Sequence, residues 1–258
     1  MLPYFEYHAI LLGPITLQVW GLWVSLGVIA GVLLADRLAK KNFLAPQLVW
    51  DLAVWALLAG LVGARVGHVL FYDPSYYFAN PVEMLYFWQG GASSLGGFIG
   101  AGLAVWAFAK IRKISFTQLS VYLDIMTPGL WFGWAIGRIG CFFIHDHPGT
   151  LSNFMLAVNF PDGARHDLGL YDSILAWVLL ALSLIFFKKL RQQNSGQLFL
   201  FTIAIYAFVR FWLDFLRATD ARYFYLTPAQ WGMGVICIGL TFWQILRIIK
   251  QTSRSLPL

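Results

Sequence analysis

The sequence predicts an all-α integral membrane protein, a bundle of about seven transmembrane helices with its N-terminus periplasmic and its C-terminus cytoplasmic. Three observations lead there. Of the 258 residues, 59% are hydrophobic and only 12% charged, against roughly 25% charged in a soluble domain. Apolar runs long enough for a helix to cross a hydrocarbon core of about 30 Å recur along the chain. Lysine and arginine gather in short clusters after every second run, as the positive-inside rule requires.

The first stretch, Ile15 to Leu34, is followed by Arg37, Lys40 and Lys41. The preceding segment carries Glu6 and no Lys or Arg, so it lacks the basic n-region of a cleavable signal peptide, and the first helix is expected to stay attached. The second, Leu48 to Tyr72, leads into a segment from Asp73 to Gly91 with no Lys or Arg. Tyr76, Tyr77, Tyr86, Phe87 and Trp88 in that segment read as an interfacial aromatic belt or a short surface-lying segment. The third, Ser93 to Ala109, is followed by Lys110, Arg112 and Lys113, and the fourth runs from Phe116 to Phe142. The fifth, Leu168 to Phe187, and the sixth, Gln197 to Phe215, are short unless extended through Asp172 and Arg210; Lys188, Lys189 and Arg191 follow the fifth. The seventh, Thr227 to Leu246, is followed by Arg247, Lys250 and Arg254.

No linker, repeat or low-complexity tract divides the chain, so residues 1–258 read as one polytopic domain with an external loop or head at about 143–170. A net charge of +6 dispersed among apolar runs does not form the contiguous basic face that nucleic acid needs. Two cysteines, Cys141 and Cys237, are too few for a disulfide framework and lack metal-ligand spacing.

The basic clusters use every lysine and leave six arginines on the other side: Arg65, Arg138, Arg165, Arg210, Arg217 and Arg222. Arg65, Arg138 and Arg210 fall near the outer ends of the second, fourth and sixth helices and are expected to converge on one cavity. An arginine at mid-membrane costs about 2.5 to 3.5 kcal/mol, so each needs a partner or a ligand. Guanidinium is also the better group for gripping a phosphate with two parallel hydrogen bonds. On the sixth helix Arg210, Asp214 and Arg217 share one face, which Tyr206 extends inward. Glycines around Arg138 (Gly133, Gly137, Gly140), around Arg65 (Gly60 to Gly67) and from Gly90 to Gly102 with Ser93 and Ser94 suit close helix packing. His145, Asp146, His147 and His166 have the side chains of metal ligands, but phosphate contact or proton transfer is the better expectation for a loop of this kind.

Gly137-Arg138-Ile139-Gly140 followed by Phe142 and Gly149 resembles the signature of the prolipoprotein diacylglyceryl transferases, Gly-Arg-(Ile/Leu)-Gly-Asn-Phe-(Ile/Leu)-Asn-Gly-Glu. The likeness extends to Leu12-Gly13-Pro14-Ile15, to Ala64-Arg65-Val66-Gly67 with Leu70-Phe71-Tyr72, and to Arg165-His166 with Leu170-Tyr171-Asp172. It also covers Tyr206, Arg210, Asp214 and Arg217, where the family has Tyr, Arg, Glu and Arg. The resemblance implies transfer of diacylglycerol from phosphatidylglycerol to the thiol of a prolipoprotein lipobox peptide, in the bacterial inner membrane, with membrane lipid as surroundings and no metal or organic cofactor. On that basis the candidate catalytic residues are Arg138, Arg210, His166 and Tyr206. Arg65, Arg138, Arg210, Asp214, Arg217, Gly149, Ser93 and Ser94 are the candidates for binding phospholipid.

The chain departs from the family pattern at the chemistry. Leu95 replaces the histidine usually proposed as base, Cys141 and Ile144 replace two asparagines, Asp146 stands at the acidic position, and Trp20 replaces a tyrosine. Three outcomes are open: His145, His147 or His166 takes the proton, the thiol ionises without a dedicated base, or the chain is a silent relative that binds anionic lipid or a lipoprotein signal segment. A metal-dependent intramembrane hydrolase is a further reading, one that predicts stoichiometric zinc.

Overall fold

The chain opens in short strands and only then turns helical, because its first apolar run is two-natured. Ile15–Gln18 is β-branched and alternating, and it pairs antiparallel with Ala9–Leu12, so the first long helix begins four residues later than the hydropathy reading placed it. The computed structural model describes residues 1–13, 15–87, 90–193 and 196–255, with side chains except those of residues 12, 15, 191–193 and 243–255. Pro14, Trp88 and Ser195 lie outside the described residues, as do the side chains of Arg191, Arg247, Lys250 and Arg254.

In chain order the elements are β1 (Leu2–Pro3), β2 (Ala9–Leu12), β3 (Ile15–Gln18), α1 (Val19–Lys41), α2 (Pro46–Phe71), α3 (Pro74–Ala79), α4 (Ser94–Ile111) and α5 (Phe116–Ile144). They continue with β4 (Pro148–Leu151), β5 (Val158–Phe160), β6 (Gly163–Asp167), α6 (Leu168–Gln193), α7 (Gln197–Leu213) and α8 (Pro228–Ser255). The protein is an α-helical membrane protein: among the described residues α1, α2, α4, α6 and α7 are long and apolar enough to cross a bilayer. Their outward faces are apolar, as Leu57, Leu58 and Leu61 on α2 and Phe208 and Trp212 on α7 show.

Local chemistry sets the boundaries. Pro46 occupies the first turn of α2, where its missing N–H costs nothing. Ser93 and Ser115 cap α4 and α5 by accepting hydrogen bonds from Gly96 N at 3.3 Å and Gln118 N at 3.2 Å. Thr227 and Gln230 form a capping box at α8, Gln230 Oε1 accepting from Thr227 N at 2.9 Å and Thr227 Oγ1 from Gln230 N at 3.1 Å. The start of α7 is held from another helix: buried Asp124 of α5 accepts from Gly196 N at 2.6 Å and Phe199 N at 2.9 Å.

Packing depends on two glycine seams. On α1, Gly27 and Gly31 lie directly against Gly133 and Gly129 of α5, where a Cβ at Gly31 would come within 2.5 Å of the Gly129 carbonyl oxygen. On α2, Gly63 and Gly67 meet Gly96 and Gly100 of α4 in the same way. Lipid tails give helices no hydrophobic reason to associate, so close backbone contact supplies the attraction. A core around Trp131, Ala176, Leu179, Tyr206 and Met233 joins α5, α6, α7 and α8, and a second around Ala35, Leu52, Phe108 and Ile125 joins α1, α2, α4 and α5.

The expectation of an all-helical fold needs one correction. The segment between α5 and α6 folds as strands, in a four-stranded sheet ordered β1-β5-β6-β4 in which β1 runs parallel to β5 and the other pairs are antiparallel. Pairing with residues 2–3 satisfies backbone groups that a structureless loop of that length would leave to water. The sixth helix is also corrected: α7 ends at Leu213, and Asp214–Leu216 tightens into a 3-10 turn that delivers Arg217 in an extended conformation.

The seams predict opposite outcomes for the same substitution. Gly67→Ala, whose Cβ would sit 2.8 Å from Gly96 Cα, is expected to cost about 1 to 3 kcal/mol through overpacking. Gly102→Ala, with nothing within 4 Å, is expected to be neutral or to stabilise by up to about 1 kcal/mol through helix propensity. Thermal midpoints of the two variants in one detergent would test this.

Candidate functional site

An ionised side chain inside an apolar bundle needs an opposite charge close by, and at the head end three helices provide one another with it. Arg138 from the last turns of α5, Asp172 from the first turns of α6 and Arg210 from the end of α7 are all at least nine-tenths buried. Asp172 Oδ2 lies 3.3 Å from Arg138 Nε and 3.5 Å from Arg210 Nε. One carboxylate therefore stands between two guanidinium groups.

A second carboxylate extends the array. Asp214 Oδ1 is 3.0 Å from Arg210 Nη2 and 3.4 Å from Arg217 Nε, and Thr227 Oγ1 donates to Asp214 Oδ2. Arg217 also pairs with Asp220. Arg138 lies over the Trp134 ring, Cζ to centroid 4.7 Å, a cation–π contact strengthened by burial. Among the described residues the Nη1 of Arg210 is buried without a hydrogen-bond partner, as are both oxygens of Asp172, whose contacts there are ion pairs. Buried donors and acceptors of this kind are costly in hydrocarbon, and the donor on Arg210 suits an anionic oxygen.

Arg138, Arg210, Asp214 and Arg217 are thus brought together as the sequence suggested, and Tyr206 lies beneath them, packed against Trp131, Trp134 and Phe98. Gly149 is needed where it stands: it bridges Arg217 across two strands, and a Cβ there would lie 2.8 Å from Leu216 O and 2.7 Å from His166 Cβ.

The expected convergence of Arg65 is not what the structure shows. Arg65 makes no ion pair with this array among the described residues. Its Nε donates to Met84 O at 3.0 Å and its Nη2 to Glu83 O at 2.7 Å, while Nη1 serves Gly90 O and Gly91 O and the group lies 5.0 Å from the Tyr77 ring centroid. It gathers the aromatic segment after α2. Ser93 is likewise occupied as the cap of α4, with its N–H donating to Ala64 O at 2.9 Å, and Ser94 is exposed.

His166 points elsewhere. Its Nδ1 is 2.7 Å from Tyr171 Oη, and both residues line an apolar groove of about 470 Å³ with Phe154, Leu175, Val209 and Leu213. His145 is sealed, its Nδ1 2.6 Å from Asp167 Oδ2 and its ring stacked on Tyr4 at 5.2 Å. His147 is close enough to the arginine array to feel its charge. Burial and then the charges of Arg217, Arg138 and Arg210 hold its pKa well below that of free imidazole. Burial raises the carboxyl pKa of Asp146 beside it. Cys141, buried beneath, lies 3.6 Å from Arg138 Nη1. Among the described residues no three His, Cys, Asp or Glu side chains gather where a metal ion could be held.

Sequence reasoning underrated two residues. Asp172 was legible as a lone carboxylate inside an apolar run, a position that seldom lacks function. Thr227 was legible in the Thr227-Pro228-Ala229-Gln230 capping box. Leu95 packs against α8, where a Cβ on Gly232 would collide with it.

The fold and site define a polytopic helical membrane protein with a buried array of arginines and carboxylates beside a small β-sheet head. The profile of the family described as prolipoprotein diacylglyceryl transferase matches residues 8–248. The chain is 32% identical over 255 residues to the phosphatidylglycerol–prolipoprotein diacylglyceryl transferase of Nitratidesulfovibrio vulgaris, covering 95% of this chain and 94% of that one. It is 34% identical over 246 residues to the enzyme of that name from Trichormus variabilis, with coverage of 89% and 84%, and 34% over 244 residues to that of Pseudomonas paraeruginosa, with 92% and 90%. The chain belongs to the prolipoprotein diacylglyceryl transferase family.

The shared carboxylate generates a stability prediction. Asp172→Ala leaves Arg138 and Arg210 facing each other in a buried site and is expected to destabilise by about 3 to 5 kcal/mol. Asp172→Glu retains the charge and is expected to recover most of that. Chemical denaturation in detergent, followed by tryptophan fluorescence, provides the comparison.

Proposed function

We propose that this protein transfers the diacylglyceryl group of phosphatidylglycerol to the cysteine thiol of a prolipoprotein lipobox, releasing glycerol phosphate. The observation that carries the reading is the pair of buried guanidinium groups, Arg138 and Arg210, held at 3.3 and 3.5 Å from one carboxylate oxygen. A sulfur–carbon bond forms at the glyceryl carbon as its carbon–oxygen bond to phosphate breaks, and the leaving glycerol phosphate gains negative charge. Fixed cations placed where that charge develops lower the barrier.

In this reading Arg138 and Arg210 grip the phosphate, and Asp172 holds their planes in register until it arrives. Arg217 and Asp214 steady Arg210 from the side of the 3-10 turn, and Gly149 lets the head strand approach Arg217. Arg65 has an organising role, binding the carbonyls of Glu83, Met84, Gly90 and Gly91. The α5 and α8 helices bring the number of spans to seven, with the head and the N-terminal end on the outer side of the bacterial inner membrane and the C-terminal end inside, as the basic clusters at the ends of α1, α4 and α6 favour.

Purified protein given phosphatidylglycerol and a lipobox peptide is expected to yield a thioether-linked diacylglyceryl peptide detectable by mass spectrometry. Arg138→Ala or Arg210→Ala is expected to lower kcat by at least about 10²- to 10³-fold, the usual effect of removing one oxyanion donor. Arg210→Lys retains charge but not the planar fork and is expected to fall between. A wild-type protein that binds phosphatidylglycerol yet forms no thioether would favour the silent, lipid-binding relative.

A further inference from the structure

The family histidine replaced by Leu95 leaves the thiol's proton without its usual acceptor, and the chain has five histidines from which to supply another. Geometry separates them. The side chain of His145 is 1% exposed, locked on Asp167 and enclosed by the rings of Tyr4, Phe5, Phe142 and Phe160. His166 is engaged by Tyr171 on the wall of the apolar groove. His8 is exposed and pairs with Glu6. His68, on α2, stacks on Tyr72 and faces Asp73 and Arg65.

His147 differs from all four. It follows the left-handed turn at His145 that ends α5 and precedes β4. That stretch is fastened on both sides: Leu168 N donates to His147 O at 3.3 Å, Ala218 N donates to Pro148 O at 3.4 Å, and Gly149 bridges Arg217. The backbone therefore fixes residue 147 beside Arg217, close enough to Arg138 and Arg210 for all three charges to act on the imidazole. Its side chain is 34% exposed, open to a partner as the sealed His145 is not, and its Nε2 lies 3.6 Å from Asp146 Oδ2.

We infer that His147 accepts the thiol proton of the lipobox cysteine, in place of the imidazole that this chain lacks at Leu95. The inference rests on the transferase reading. The S–H proton passes to the imidazole, and the sulfur forms its bond to the glyceryl carbon as that carbon's bond to the phosphate oxygen breaks. The electron pair leaves on glycerol phosphate between Arg138 and Arg210. The imidazolium then returns its proton to the departing phosphate or to water, so no further reactant is needed.

The charged groups facing His147 are Asp146 on its own segment, Arg138 on α5, Arg210 on α7 and Arg217 beyond it. Burial and the three cations oppose protonation, so the imidazole keeps its accepting form to lower pH than a free one does, and the acid limb of the wild-type profile moves down with it.

The test is kcat against pH for wild type, His147→Gln and His68→Gln with phosphatidylglycerol and a lipobox peptide. At pH 7, His147→Gln is expected to lose about 10²- to 10⁴-fold in kcat, the usual contribution of a general base, with little change in KM for the lipid. Its activity is expected to climb about tenfold per pH unit toward pH 8.5, near the pKa of a free thiol, as solvent supplies the thiolate. His68→Gln is expected to stay within about threefold of wild type, with the wild-type profile. A His147→Gln enzyme within about threefold of wild type, a loss that raised pH does not restore, or transfer of the pH-rescued phenotype to His68→Gln would each overturn the assignment. A wild-type protein with no transfer activity would overturn the transferase reading and this inference with it.

Discussion

Two guanidinium groups can be buried together in a membrane bundle here because Asp172 stands between them. Without it the like charges of Arg138 and Arg210 would repel across a medium that screens poorly, and insertion alone already costs about 2.5 to 3.5 kcal/mol for each. The requirement reaches outward into the fold. Asp172 sits in the first turns of α6, so α6 must begin where α5 ends. The β6 strand and Asp167, whose Oδ1 accepts from Leu170 N at 2.8 Å, set that start. Arg210 must arrive at the same depth on α7, whose opposite end is fixed by Asp124 of α5. A single carboxylate thus imposes a common register on three helices.

Much of this arrangement was legible in the sequence. Basic clusters at alternate ends gave the rhythm of the helices, and the spacing of Arg210, Asp214 and Arg217 gave an ion-pair array that survives the change from α-helix to 3-10 turn, since Arg217 Nε still reaches Asp214. The glycine runs were read as packing devices, and they are. What could not be read depends on distant contacts. Strands of two to five residues in the head carry too little alternation to be recognised, and they exist because residues 2–3 and 148–167 meet. Arg65 resembles its two counterparts in sequence, and only the carbonyls of residues 83, 84, 90 and 91 reveal its different employment.

The departures from the family motif become intelligible as local chemistry. His145 takes up a left-handed conformation, φ 46°, at a position where the motif has glycine, and the bond to Asp167 and the stack on Tyr4 hold it there. Cys141 replaces an asparagine and keeps a contact with Arg138 through sulfur. Leu95 gives up an ionisable ring for an apolar contact with α8 at Gly232. The changes at positions 141 and 95 lower the polarity there, while His147 and Asp146 place polar groups on the head side.

The parallel pairing of Leu2–Pro3 with Val158–Phe160 joins segments separated by more than half the chain. A ribosome makes residues 2 and 3 long before β5 emerges, so that strand must wait, unpaired, while α1, α2 and α4 enter the bilayer. The sheet is therefore a late-closing clasp, assembled only when its final strands have been made. Bulky fusions ahead of residue 2 would burden that closing step more than they would burden insertion of the helices.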